Sequence, residues 1–593
     1  MIGRAGAVAI TENRRLRRRL AWRAGALAVV TLAAGAFLAA AQDQAPAAAA
    51  TVDGNAPQAS SPPLTVDTAR VPVRGVVRNS QTGQGVARAL VRIEGDAAMG
   101  MLTDGDGRFE FRDVPVGPQS FTVNRPGYQD RPFGAAATDA NASGQWSEDS
   151  PGVAGHNVIV AEGMAELAFT LAPASALHGQ VVTATGEPAA GINVELAHRT
   201  IEGGRAVWQM QAQMKTRSDG SFRFGGLAEG QYTVFTDPAE EQDGGNDADA
   251  SQSLAFPTVY YPDAREPGSA GRIALAQGGD AQVNLTLAAE PFHRVTVTVV
   301  GKAQAYSASL ADSAGRTLPY TAKYDASKHA LEAMLPDGSY QMLVTTLQAE
   351  ERALHAPESP QVGVLEFTVA GKPLELRVTP VAQHSIPIDV MLLAGSPSQS
   401  DAIRNNQIVL LASPATGWLD DGVAMAFASG PVGAPLEAVH TAPGAYWLHA
   451  QIPQKGLCEG SLTAGGANLA TEPLRLDATA PLALAVRRDC AQLTLVLPAT
   501  AMFTGAGEEP YYTAWVVPDF DFTQELSPVT LRPSSGQTVA LESLTPGGYH
   551  IYVFKGPYTL EYRNREALAA LHGQTIALGP GATEQLVVEV PAP

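Results

Sequence analysis

The sequence predicts an all-β fold of about five tandem antiparallel β-sandwiches behind a signal peptide and a flexible spacer. A short motif, a Gly-centred turn followed by an aromatic and alternating apolar residues, recurs five times at nearly constant spacing. A strand of strict apolar alternation closes each unit, the mark of a sheet with one buried face. Helix signals are almost absent, the best being Arg563 to His572.

The motif copies are Val116-Gly117 to Phe121, Glu229-Gly230 to Tyr232, Asp337-Gly338 to Tyr340, Pro443-Gly444 to Tyr446 and Pro546-Gly547 to Tyr549. Glycine suits the turn and the aromatic is expected to point into the sandwich. Upstream, Phe109/Phe111, Phe222/Phe224 and Val539/Leu541 are each followed three residues later by Val114, Leu227 or Leu544, which predicts a strand, a bend and a second strand. The closing alternations are Leu167/Phe169/Leu171, Val283/Leu285/Leu287, Leu374/Leu376/Val378, Leu482/Leu484/Val486 and Leu586/Val588/Val590. Units of this size, with many short strands and Gly/Pro turns, suggest Ig-like sandwiches. The expected boundaries are 70–173, 174–289, 290–380, 381–490 and 491–593, joined by short linkers that would make a semi-rigid rod.

Ahead of these units, residues 1–41 form an export signal. Seven arginines up to Arg23 precede an uncharged run from Ala24 to Ala41, and Ala39 and Ala41 fit a cleavage site before Gln42. An uncleaved anchor is the rival, because eighteen uncharged residues just span a bilayer. Residues 42–69, rich in Ala, Pro, Gln and Ser, form a spacer with no periodicity.

Composition narrows the partners. The chain of 593 residues carries a net charge of −19, with most of its N-terminal charge positive, so the body is more acidic still. Phosphate backbones would repel it, which excludes nucleic acid. Only two cysteines are present, Cys458 and Cys490, and in an oxidising compartment a disulfide is their default state. It would stabilise by roughly 3 kcal/mol on the chain-entropy model.

The first two units resemble a known module. Gly75-Val76-Val77-Arg78, Gln81-Thr82-Gly83, Ala89 to Ile93, Thr103 to Phe109 and Gly127-Tyr128 look like the carboxypeptidase regulatory-like domain. Gly179 to Val182, Gly186-Glu187-Pro188, Val194-Glu195-Leu196 and Ser218 to Phe224 repeat it. Tyr260-Tyr261-Pro262 and Ile273 to Leu287 look like a downstream element of multi-copy exported bacterial proteins of this type. The resemblance implies a transthyretin-like sandwich of seven strands. Such modules flank metallocarboxypeptidase domains, precede outer-membrane barrels or form exported arrays, and the similar starch-binding-like fold binds carbohydrate in some relatives. No peptidase domain or barrel is recognisable here, so the array is expected to be the whole protein.

Candidate chemistry is sparse. His329/Glu332 and His355/Glu358 have H-x-x-E spacing, but the first pair is expected on a strand, where such residues face opposite sides, and the second is interrupted by Pro357. Asp104-Gly105-Asp106-Gly107 is a turn that lacks the closing Glu of a calcium loop, and the acidic run Asp237 to Asp249 is expected to be a solvated loop. No nucleophile elbow or phosphate-binding loop is present. Exposed aromatics remain as ligand candidates. Trp447 should face outward between Tyr446 and Leu448, where its four counterparts are polar. It would serve as a sugar platform or a contact between domains. Tyr260 and Tyr261 are weaker candidates, as are Tyr511 and Tyr512, since one of each pair should be core. The expectation is an exported, non-catalytic structural or interaction protein of the cell envelope with no metal or cofactor. Its partner would be a polysaccharide or an envelope protein, and the alternative is carbohydrate binding. The location would be periplasm, cell surface or extracellular, with no membrane span once the signal is cut.

Overall fold

A computed structural model describes residues 69–591, except 95–98, 131–154, 241–251, 313–316, 348–360, 383–384, 395–407, 420–435, 440–444, 453–454, 476–479, 502, 504 and 534–537. The signal, most of the spacer, the turn at Gly444, the His355/Glu358 pair and most of the acidic run lie outside the described residues.

One strand plan recurs five times. The opening strands are Arg70–Asn79, Ser175–Thr183, Glu290–Val299, Ser385–Ala394 and Ala491–Val496. Each lies between two partners of its own sandwich, and Glu290–Val299 also pairs with Gln252–Phe256 of the second. One is the antiparallel strand that precedes the glycine turn: Arg108–Pro115, Ser221–Leu227, Ala330–Leu335, Leu436–Val439 or Thr538–Leu544. The other is the closing strand: Leu167–Pro173, Asp280–Leu287, Leu374–Val378, Leu482–Arg487 or Thr583–Val587. The closing strands run parallel to their opening strands, so these sheets are not wholly antiparallel. A parallel first and last strand makes the chain enter a sandwich at one end and leave at the other. The second sheet of each unit is built on the strand after the turn, as in the pairing of Leu90–Glu94 with Gly117–Asn124 and of Asn193–Glu202 with Gly230–Thr236.

Each pair of sheets encloses its own apolar cluster. In the first these include Val73, Phe109, Phe121 and Phe169, and in the second Leu177, Leu196, Tyr232 and Leu285. The other three are built the same way around Val295 and Met342, Leu410 and Leu484, and Leu493 and Ile551. All five motif aromatics are buried. Three of them also tie the turn down: the hydroxyls of Tyr232, Tyr340 and Tyr549 donate to the carbonyls of Ala228, Pro336 and Thr545, each four residues upstream, at 2.9, 2.9 and 2.6 Å. This resembles the tyrosine corner of Ig sandwiches. Burial raises the pKa of all three hydroxyls.

The expected bend before the turn is a β-bulge inside one strand. Val73 faces Phe111 and Val71 faces Val114, so the upstream strand carries one residue more than its partner. The same extra residue appears at Gly225/Leu227 and at Leu541/Leu544. An odd step of three would turn Val114 outward in a regular strand, and the bulge turns it back to the core. His329 also departs from expectation. It sits in a turn with a left-handed backbone (φ 49°), its ring bonded to the Tyr324 hydroxyl, while Glu332 pairs with Lys328. Asp104 accepts from the backbone N–H groups of Asp106 and Arg108, as a turn residue does. The predicted helical turn is present as Arg565–Ala569, capped by the Asn564 side chain.

The semi-rigid rod does not form, because residues 68–593 make a single compact unit. The first sandwich takes an added strand from the fifth, Gly507–Glu508 against Val158–Ile159. The second takes one from the fourth, Trp418–Leu419 against Trp208–Gln209. Among the described residues, no helix is long and apolar enough to cross a membrane.

Candidate functional site: the junction of the second, fourth and fifth sandwiches

The strands Asn193–Glu202 and Arg205–Lys215 form a long hairpin closed by the two-residue loop Gly203-Gly204. Both glycines have positive φ (54° and 75°), as a tight hairpin turn of this kind requires. Gly204 is also needed for space, since a Cβ there would lie 2.4 Å from the Tyr562 ring. This bare tip lets the hairpin reach the fourth and fifth sandwiches.

Arg563 receives it. Its Nε donates to the Gly203 carbonyl at 3.2 Å, and its backbone N–H donates to that of Gly204 at 3.0 Å. The rest of the guanidinium donates to the carbonyls of Phe522, Thr523 and Gln524 at 2.8 to 3.1 Å. The loop that carries these carbonyls is held from its other side by Glu459 of the fourth sandwich. One carboxylate oxygen of Glu459 accepts from the N–H and hydroxyl of Thr523, and the other from the N–H of Gln524. Burial raises the pKa of Glu459, against the pull of these hydrogen bonds and of Arg563. A buried carboxylate is tolerated because its acceptor positions are filled.

His449 completes the junction. It is 5% exposed, with Nδ1 facing the Thr523 carbonyl at 3.2 Å and Nε2 facing the Ser413 hydroxyl at 3.1 Å. A carbonyl only accepts, so Nδ1 carries the proton and Nε2 accepts from Ser413. Burial pulls the imidazole pKa down to about 4, with the Arg563 and Arg205 charges adding to the effect. Burial also brings Arg205 down to about 10, helped by Arg563.

Trp447 belongs to this junction. It is half-buried between the buried Tyr446 and Leu448, as the alternation requires, and the Arg205 guanidinium lies 3.6 Å from its ring centroid. The face that could stack on a sugar carries a cation from the second sandwich. Tyr260 is 3% exposed and stacks on Phe235 at 4.8 Å, with Trp418 edge-on at 6.1 Å. That aromatic cluster, with Trp208, joins the second and fourth sandwiches. Tyr261 is half-buried against the core of the second sandwich. Tyr511 and Tyr512 are both buried, so neither is a surface platform. The three ligand candidates therefore sit in separate packing environments. Cys458 and Cys490 are joined in a disulfide. Among the described residues, no cluster of three or more His, Cys, Asp or Glu could hold a metal ion.

Glu459, His449, Arg563 and Trp418 were not signalled by any motif, since each acts across sandwiches. The one local signal is the dipeptide Gly203-Gly204 between strand-like runs, a hairpin mark that lies outside the repeated motif.

Residues 72–145 match the family model of the carboxypeptidase regulatory-like domain. No curated protein matches the chain. Among solved structures, it is similar to the shaft pilin SpaA from Lactobacillus rhamnosus GG, with 11% identity, 37% of this chain, 98% of that one and a TM-score of 0.20. A minor pilin of Streptococcus agalactiae gives 15%, 37%, 95% and 0.19. The TIE protein of Bacillus anthracis gives 12%, 52%, 51% and 0.15, so the match spans about half of that protein. Scores this low carry no inference about function. Over residues 72–145 the first sandwich is similar, by residues and by family model, to the carboxypeptidase regulatory-like domain.

Proposed function

We propose that the chain is an exported, non-catalytic structural protein of the cell envelope, whose sandwiches hold one another in a set arrangement and present their remaining surface to an envelope partner. The observation that carries this reading is the use of Trp447. The one outward Trp that the repeat placed where its siblings are polar is covered by Arg205 of another sandwich. The Arg-rich start with its apolar run and the disulfide support export.

A glycan-array screen of the purified chain, alongside Trp447→Ala, tests it. The structural reading expects silence across polysaccharides from both proteins and a loss of thermal stability in the variant. Binding that the substitution abolishes would replace it with carbohydrate recognition. Sequencing the N-terminus of the protein recovered from the envelope checks export, the expected first residue being Gln42.

A further inference from the structure

The fourth sandwich carries a hairpin, Cys458–Ala464 with Ala467–Asn468, laid antiparallel on its closing strand. The start of that hairpin supplies much of the fourth sandwich's grip on the fifth, beside His449 on the Thr523 carbonyl and Asn468 on Asp521. Lys455 pairs with Glu542 at 2.9 Å, and the Gly456 N–H donates to the Ser543 hydroxyl. Glu459 holds Thr523 and Gln524 through its carboxylate, and its carbonyl accepts from the Thr545 hydroxyl at 2.6 Å. A bulge between Glu459 and Ser461 interrupts the ladder at this point, so strand pairing alone holds the segment weakly. The disulfide anchors it instead, since Cys458 adjoins Glu459 and Cys490 directly precedes the opening strand of the fifth sandwich. Cys458 and Glu459 also line a cleft of about 310 Å³ between the two sandwiches, with Lys455, Gln524, Glu542 and Ser543.

We propose that the Cys458–Cys490 disulfide is a redox latch on the contact between the fourth and fifth sandwiches, opened by a dithiol that reaches the half-exposed Cys490. A thiolate of the dithiol attacks the sulfur of the half-exposed Cys490, and the buried Cys458 leaves and takes up a proton. The second thiol of the reductant then attacks the mixed disulfide, releasing Cys490 as a thiol. Two electrons and two protons pass to the protein, and the dithiol departs as a disulfide. Freed from its anchor, the segment 455–459 frays, and the loop at 523–524 loses its Glu459 acceptors. Through that loop Arg563 and the Gly203-Gly204 tip are loosened in turn.

Hydrogen exchange of the full chain with and without dithiothreitol tests this. On reduction, peptides covering 519–526 should exchange at least about 10-fold faster, while those covering Val295–Val299 in the third sandwich stay unchanged. Reoxidation should restore protection. Glu459→Ala, with the disulfide intact, should reproduce the effect at 519–526. Unchanged exchange at 519–526 on reduction would overturn the latch, and so would an equal rise in all five sandwiches, which would mean general loss of stability. The wild-type chain alone decides between these outcomes if Cys458→Ser/Cys490→Ser fails to fold, and the readout does not depend on where the protein resides.

Discussion

His449 is held neutral among cations. Burial opposes its second proton, and the charges of Arg563 and Arg205 add to this against the pull of the Thr523 carbonyl. The folded-state pKa of about 4 lies below the unfolded value of 6.5, so the native state binds fewer protons between these limits. The stability His449 contributes is then complete above pH 6.5 and falls as pH drops toward 4, by roughly 3 kcal/mol at most. Glu459 runs the other way: its raised pKa makes its contribution fade as pH rises through that folded value. Urea unfolding of the wild type and of His449→Gln at pH 7.5 and pH 5 separates the two, and the variant should show the flatter dependence. Trp447→Ala should cost about 1–2 kcal/mol through the lost cation–π contact and packing, read as a lower thermal midpoint. Tyr232→Phe removes one buried hydrogen bond and leaves the Ala228 carbonyl short of its donor, a loss of about 1 kcal/mol by the same measurement. Phe121 fills the corresponding place in the first sandwich.

The strands show where periodicity is a reliable guide and where it fails. The closing strands were legible because every second residue is apolar and one face of each sheet is buried, as at Leu167, Phe169 and Leu171. Their parallel pairing was not legible, since alternation is blind to the direction of a neighbour. The bulges were visible only as an odd step of three from Phe111 to Val114, which a bend explains equally well until the partner strand is known. The opening strands carry another device. Gly179 passes so close to the closing strand that a Cβ would meet the Val283 carbonyl oxygen, backbone that cannot rotate away. Gly75 holds the same place in the first sandwich, with the Phe109 ring and the Leu167 carbonyl over it. Gly179→Ala should force the opening and closing strands apart and cost about 1–3 kcal/mol, measured by denaturant midpoint. The control Gly186→Ala meets no neighbour, so whatever it costs through its positive φ measures backbone strain alone.

Across residues 68–593, sandwiches that are distant in sequence share sheets. The fourth sandwich adds Trp418–Leu419 to the second, where Trp418 meets Trp208, Phe235 and Tyr260. The fifth adds Gly507–Glu508 to the first, where Glu508 meets His156 at 2.6 Å, their side chains 13% and 1% exposed. A short added strand gives few backbone bonds, so the side chain behind it should decide whether the contact holds. Trp418→Ala removes most of an aromatic cluster and should cost about 3–5 kcal/mol if the sandwiches unfold together. Should they unfold separately, its effect will appear as faster limited proteolysis at the added strand, with the five cores still folded.

The all-β fold, the buried aromatics, the closing strands and the pairing of two lone cysteines could all be derived from residue order, because each depends on local alternation, on turn chemistry or on there being one choice. The junction could not. Arg563 and Gly203 are 360 positions apart and belong to sandwiches with no repeat feature that points from one to the other. The same holds for Arg205 above Trp447: alternation turned the Trp outward, and only the packing of whole sandwiches determined what would cover it. Burial between preformed units depends on surface shape and on compensated charge, and neither leaves a period in the sequence.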